Sequence, residues 1–189
     1  MTRVEITPGG CILGALLVLV VPLPWLLGGL CAGIVHELCH LAALYCCHAR
    51  VWSLRIGALG AAMEVQPLPP FTELCCAAAG PAGSLLLAVL ARKIPEVALC
   101  ALAQGLFNLI PLYPLDGGRM LRCVLLLVFP VWGERIAGAA EKGIWAAFLG
   151  LFLFHSAFCP DHLAVFIGIL TIRLILGKIS CKQGGNRVQ

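Results

Sequence analysis

Charge is what this chain has least of: charged residues make up 12% of its 189, against roughly a quarter in a soluble domain. Acids are the rarer kind, nine in all, and there are only five histidines. No basic block with interleaved aromatics occurs. The 13 Lys and Arg residues stand singly or in pairs between apolar runs, so the net charge of +4 does not mark a nucleic-acid-binding protein. The eleven cysteines (11, 31, 39, 46, 47, 75, 76, 100, 123, 159 and 181) are odd in number and include no CxxC pair. That speaks against a disulfide framework or a zinc ribbon. Most lie inside apolar runs and read as small buried hydrophobes in or facing a reducing compartment.

What fills the chain is apolar: 61% of residues are hydrophobic and the mean hydropathy is +1.00. The sequence therefore predicts an all-α polytopic membrane protein, one domain over residues 1–179 with a disordered cytosolic tail over 180–189. Apolar segments at 11–29, 30–47, 73–91, 97–115, 143–158 and 162–178 each approach the roughly 20 residues needed to cross hydrocarbon, giving about six transmembrane helices. The first two are nearly fused, and Gly28 and Gly29 are the expected division. A shorter apolar piece, 121–131, is expected to continue the fourth element or to lie at the interface.

Between the second and third spans the alternation of Val51, Ser53 and Arg55 with Trp52, Leu54 and Ile56 breaks the helical pattern, and Gly57 and Gly60 follow. This predicts a short β-hairpin or a re-entrant loop. With six spans, eleven of the thirteen basic residues fall on one face and only Arg92 and Lys93 on the other. The positive-inside rule then places both termini in the cytosol of a multi-pass cell-membrane protein.

Against this background His36-Glu37-Leu38-Cys39-His40, an HExxH motif in the second span, stands out. Two histidines four apart share a helix face and can bind one zinc ion, while the intervening Glu37 can address water beside it. Three ionisable groups within five residues at membrane depth cost several kcal/mol, roughly 3 each, unless something coordinates them. The alternative is neutral imidazoles and a protonated carboxyl bonding to neighbouring helices, as in a transporter. A hydrolytic zinc site needs a third protein ligand, and most acids lie in loops. Asp116 differs, because it sits in Asn108-Leu-Ile-Pro111-Leu-Tyr-Pro114-Leu115-Asp116-Gly117-Gly118 at the expected end of the fourth span. Prolines and glycines there would unwind the helix and aim the carboxylate inward, on the cytosolic side with His36 and His40. His48, His155 and His162 fall near span ends and are expected to cap or to sit at the interface. Gly29, Gly33 and His36 are spaced to share a face on which a neighbouring helix could approach closely.

The pair HELCH and NLIPLYPLDGG resembles the motifs of the site-2 proteases, intramembrane zinc metalloproteases also called peptidase family M50. Residues 79–81, Ala-Gly-Pro, resemble that family's AGP element, and the polar residue that often follows as Asn is Ser84 here. The resemblance covers about 30–125 and is similar to the compact branch that includes the sporulation protease acting on a sigma-factor precursor. From that branch the chain is expected to depart in lacking a carboxy-terminal CBS domain after the sixth span and an inserted PDZ domain. The resemblance implies one zinc per chain held by His36, His40 and Asp116, Glu37 as general base, and Asn108 as a donor to the tetrahedral oxyanion. It also implies membrane-embedded or membrane-associated protein substrates within the lipid bilayer; with no sensory domain expected, regulation by other membrane proteins is an expectation of its own. The strand from Val51 to Ile56 could pair with an unwound substrate, or the segment could simply shield the cleft.

Overall fold

In the computed structural model, residues 3–6, 8–57 and 60–158 are described. The chain divides into two compact units, residues 1–110 and 111–189.

The first unit opens with a short strand, β1 (Arg3–Ile6), and an apolar helix, α1 (Pro8–Val20). A second helix follows after Val21 and Pro22, α2 (Leu23–Cys46). The division expected at Gly28 and Gly29 is therefore wrong by about a turn and a half. Pro22 and Pro24 decide it: proline lacks the N–H that a helix interior needs and is at home in the first turn, so the pair starts α2. Gly28 instead lies well inside α2, where it allows close packing: a Cβ there would come within 2.9 Å of the Glu96 backbone. At 13 residues α1 is too short to cross a bilayer alone, whereas α2 has 24.

The C-terminus of α2 closes with a Schellman turn: the Ala49 N–H donates to the Leu44 carbonyl and the His48 N–H to that of Tyr45, at 2.9 and 3.0 Å. His48 takes the left-handed position, at φ 53°, where glycine is usual. This is the capping position the sequence suggested for it. Next come β2 (Val51–Gly57) and β3 (Gly60–Val65), an antiparallel hairpin with an irregularity between Val51 and Ser53. The hairpin was legible in the alternating pattern. The third strand was not: β1 pairs in parallel with β2, Arg3 opposite Ser53 through Ile6 opposite Ile56. An all-α description is corrected to that extent, because four residues are too few to carry a recognisable period.

After Pro67 and Pro69 come α3 (Pro70–Leu90) and α4 (Pro95–Asn108), each with proline in its first turn. The buried line of α2 is Gly28, Ala32, His36, His40 and Leu44, one residue every four. On α3 it is Cys76, Ala77, Gly80, Pro81 and Ser84, and on α4 Ala101 and Gly105. A four-residue ridge turns about 40° around the helix per step, so it matches neighbours that cross at an angle. The sequence-based face of Gly29, Gly33 and His36 is corrected accordingly, since among the described residues nothing lies within 4 Å of a Cβ built at either glycine. Small residues still provide the close approach, but they are Gly28, Gly80, Gly83 and Gly105.

The second unit contains α5 (Asp116–Val128) and α6 (Gly133–Phe158). The expected fourth span, 97–115, is replaced by a 14-residue α4 that stops at Asn108. Segment 121–131 does not continue it; residues up to Val128 belong to α5, which Asp116 begins. Prolines 111 and 114 stop one helix and free the chain to start another. Between Phe129 and Gly133 the chain turns into α6, which starts ten residues before the expected fifth span. Arg122 donates from Nε to both carboxylate oxygens of Glu134 at 3.1 Å, and the Arg135 guanidinium lies over the Trp132 ring.

Two described helices, α2 and α3, are long and apolar enough to cross a membrane. With the chain's hydropathy they mark a membrane protein. The sixth expected span, His162 and the tail from residue 180 lie outside the described residues.

Candidate metal centre

His36 and His40 occupy the third and fourth steps of the buried line on α2, and both are almost wholly enclosed. Their rings meet edge to face with centroids 4.8 Å apart, and their Nε2 atoms are 3.2 Å from one another. Each Nδ1 is taken by α3. His40 Nδ1 lies 2.8 Å from the Cys76 carbonyl, and because a carbonyl oxygen can only accept, that nitrogen carries the proton. His36 Nδ1 lies 2.9 Å from Ser84 Oγ. Both rings are thus held by their outer nitrogens and converge through their inner ones, the arrangement in which metal-binding histidines are found.

A zinc ion fits this pair. Two nitrogens 3.2 Å apart, each about 2.0–2.1 Å from one ion, subtend about 100° at it, close to a tetrahedral angle. The opposing helix has also been cleared at this point: a Cβ at Gly80 would lie 2.1 Å from His40 Nε2. One residue along, Pro81 interrupts the ladder of α3, having no N–H to give to Ala77. The Cys76 carbonyl that receives His40 is next to that gap.

Glu37 follows His36 on the same helix and is half-buried. Asn108 is the last residue of α4, and its Nδ2 donates to the Gln104 carbonyl at 3.1 Å. An amide has two such protons, so one donor remains.

In the second unit Asp116 is the first residue of α5 and is buried, with 8% of its surface exposed. The helix N-terminus favours an anion there, and Arg119 Nη1 stands 3.8 Å from its carboxylate. The turn before it is fixed by the Leu115 N–H donating to the Leu112 carbonyl at 2.8 Å, and by Gly118, whose Cβ would fall 2.4 Å from the Leu112 carbonyl carbon. The Asp-Gly-Gly run therefore has a local reason: the second glycine lets the proline-rich turn fold back on the first turn of α5 and hold Asp116 at its start. His36 and His40 in the first unit and Asp116 in the second are each buried, and each is a donor of a kind zinc accepts.

No known family's sequence profile matches the chain. Individual proteins do. A solved structure described as a site-2 protease from Methanocaldococcus jannaschii superposes with a TM-score of 0.69, covering 93% of this chain and 88% of that one at 18% identity. The chain has the site-2 protease fold. Among curated sequences, similarity extends to Rip3 of Mycobacterium tuberculosis, named as a candidate zinc metalloprotease, at 28% identity over 70% of this chain and 46% of that one. It extends also to sll0528 of Synechocystis, named in the same terms, at 32% identity over 66% of this chain and 36% of that protein. The chain spans less than half the length of these curated relatives.

The sequence pointed to His36 and His40 and missed what holds their rings. Ser84 was noticed only as a departure from a motif, and the Cys76 carbonyl carries no side-chain signal at all. Their spacing on α3, eight residues for two histidines four apart on α2, could have been found only by knowing how the two helices cross. His155 falls within α6.

Proposed function

We propose that the chain is an intramembrane zinc metalloendopeptidase that cleaves membrane-embedded or membrane-associated proteins. The observation that carries this reading is the convergence of the two HExxH imidazoles through Nε2, with both Nδ1 atoms tied to α3, on a helix long enough to span a bilayer. In it, one zinc ion per chain is held by His36, His40 and Asp116. When bound, zinc lowers the pKa of a water toward neutrality and polarises the scissile carbonyl.

The rest of the chemistry belongs to the chain. Glu37, one residue from His36, takes the proton of the attacking water on its carboxylate and returns it to the leaving amine. Asn108 gives its second amide proton to the developing oxyanion. A substrate helix hides its peptide bonds in its own hydrogen bonds and must unwind before cleavage. In this reading the site lies toward the cytosolic side of the cell membrane, with both termini cytosolic. Substrates of the sigma-factor-precursor or anti-sigma-factor kind fit that placement, and regulatory membrane proteins would control access.

The decisive experiment compares purified wild type and Glu37→Gln for zinc content and for cleavage of a candidate membrane substrate in detergent or liposomes. The variant is expected to keep zinc and lose cleavage. Retained cleavage overturns the mechanism, and a wild type without zinc overturns the reading as a whole.

A further inference from the structure

Along α4 runs a polar line that the metal centre does not account for. Cys100, Gln104 and Asn108 follow at intervals of four, each about 40° further around the helix. The Cys100 thiol donates to the Trp25 carbonyl on α2 at 3.8 Å, and Asn108 Nδ2 donates to the Gln104 backbone carbonyl. Between these two the side-chain amide of Gln104 meets no hydrogen-bonding group among the described residues.

That amide stands where an unmet one is least welcome. Helix α4 begins just after the exposed Arg92 and Lys93. Gln104 lies nine residues beyond Pro95, about 14 Å along the axis, or roughly half the depth of a ~30 Å hydrocarbon core. Hydrocarbon offers an amide nothing to bond to. Nor does Gln104 share the lipid-facing side of the helix: the exposed Leu99, Leu102 and Leu106 lie about 140–160° around from it. The next residue, Gly105, is where α4 packs on the centre, since a Cβ there would stand 3.2 Å from that of Ser84, whose hydroxyl is 2.9 Å from His36 Nδ1.

The spacing of the two amides says what suits them. Gln104 and Asn108 are about 6 Å apart along the axis, and an extended peptide turns its backbone N–H and C=O to the same side at every second residue, about 6.4–6.8 Å apart. A glutamine amide holds one acceptor and one donor group, so it can accept from the N–H and donate to the C=O of one residue. We propose that Gln104 binds the backbone of the unwound substrate at the residue two places from the one bearing the scissile carbonyl, while Asn108 takes that carbonyl. This rests on the protease reading of the site. The contact is with backbone alone, so it selects for an extended chain and not for particular side chains.

The test uses purified protein in detergent and a synthetic transmembrane peptide that it cleaves, with the scissile bond mapped by mass spectrometry. Gln104→Met keeps an unbranched side chain of similar length and removes its hydrogen bonding. KM is expected to rise roughly 3–10-fold for each hydrogen bond lost. With kcat and zinc content near wild type, that is the pattern of lost substrate binding and not of a disturbed centre. A second arm replaces one peptide N–H by an ester oxygen, at the residue two places before or two places after the one bearing the scissile carbonyl. One of these esters is expected to raise KM for the wild type and to leave Gln104→Met unchanged.

Wild-type KM in Gln104→Met, or the same ester effect in both proteins, overturns the inference. So does a Gln104→Met protein that cleaves normally but is monomeric where the wild type is dimeric, because the amide then serves a second copy of the chain. Should Gln104→Met fail to fold, the ester peptides with wild type still decide, and no rise in KM from either ester overturns the inference. A wild type that cuts no membrane peptide overturns the protease reading and this inference with it; one that cuts them and is indifferent to the esters overturns this inference alone.

Discussion

Gly80 and His40 face each other so closely that a Cβ on the glycine would stand 2.1 Å from Nε2 of the histidine. Real contacts are never that short, so the ring would have to leave its place or the helices would have to part. The glycine of the Ala-Gly-Pro element thus acts by having nothing where the nitrogen proposed to face the metal points. Gly80→Ala is expected to lose zinc binding while the protein remains helical, measured as metal per chain alongside far-UV circular dichroism. Full zinc occupancy in a folded Gly80→Ala protein would contradict the assignment of Nε2 as the metal-facing atom.

The proposed base predicts a different pattern. Glu37→Gln keeps the size and hydrogen-bonding shape of the side chain but cannot take a proton. Cleavage should fall by roughly 10²–10⁴-fold, the usual contribution of general acid–base catalysis, with zinc content unchanged.

Asp116 should separate from Glu37 in the same assay. Asp116→Asn removes an anionic oxygen from the proposed ligand set and is expected to lower zinc affinity as well as cleavage, read by chelator competition. His36→Ala should do likewise. If Asp116→Asn bound zinc as the wild type does, the third ligand would have to be sought elsewhere.

Gly118 makes a prediction about stability. A Cβ there would fall 2.4 Å from both the Leu112 carbonyl carbon and the Tyr113 nitrogen, and backbone cannot swing aside as a flexible side chain can. Gly118→Ala should destabilise the protein by about 1–3 kcal/mol, the usual cost of overpacking, measured by thermal unfolding in detergent. Gly138, with nothing within 4 Å among the described residues, is the control, and Gly138→Ala should be neutral or slightly stabilising within its helix.

The Arg122–Glu134 pair gives a pH dependence of known sign. Hydrogen bonding from Arg122 holds the Glu134 carboxyl below the usual glutamate range, against a smaller opposing effect of burial. A carboxylate with a lowered folded-state pKa contributes stability above the ordinary glutamate range and loses it as pH falls through the lowered value. Both side chains are substantially exposed, so the contribution is expected to stay under about 1 kcal/mol and to shrink with salt. Comparing wild type with Glu134→Gln at neutral and acidic pH checks it: the difference should vanish in acid.

Local chemistry was legible in the sequence wherever it depends on neighbours in the chain. The HExxH spacing puts His36 and His40 on one helix face because an α-helix repeats every 3.6 residues. The alternation after Arg50 gives a hairpin because strand side chains alternate. The helix limits were less legible: Pro22 and Pro24 moved the start of α2, and Pro111 and Pro114 ended one helix and let Asp116 begin another. The four-residue strand β1 was invisible, since its partner β2 lies about fifty residues away.

The sequence by itself determined which atoms can bind a metal and that they lie in a chain too apolar to be anything but a membrane protein. Only the tertiary structure decided which nitrogen of each histidine faces the proposed metal position. That choice is made by the Cys76 carbonyl and the Ser84 hydroxyl on α3, which occupy the outer nitrogens, and by Gly80, which leaves room for an inner one. The reason is physical: an imidazole has two nearly equivalent nitrogens, and nothing along its own helix distinguishes them until a neighbouring helix supplies a partner for one.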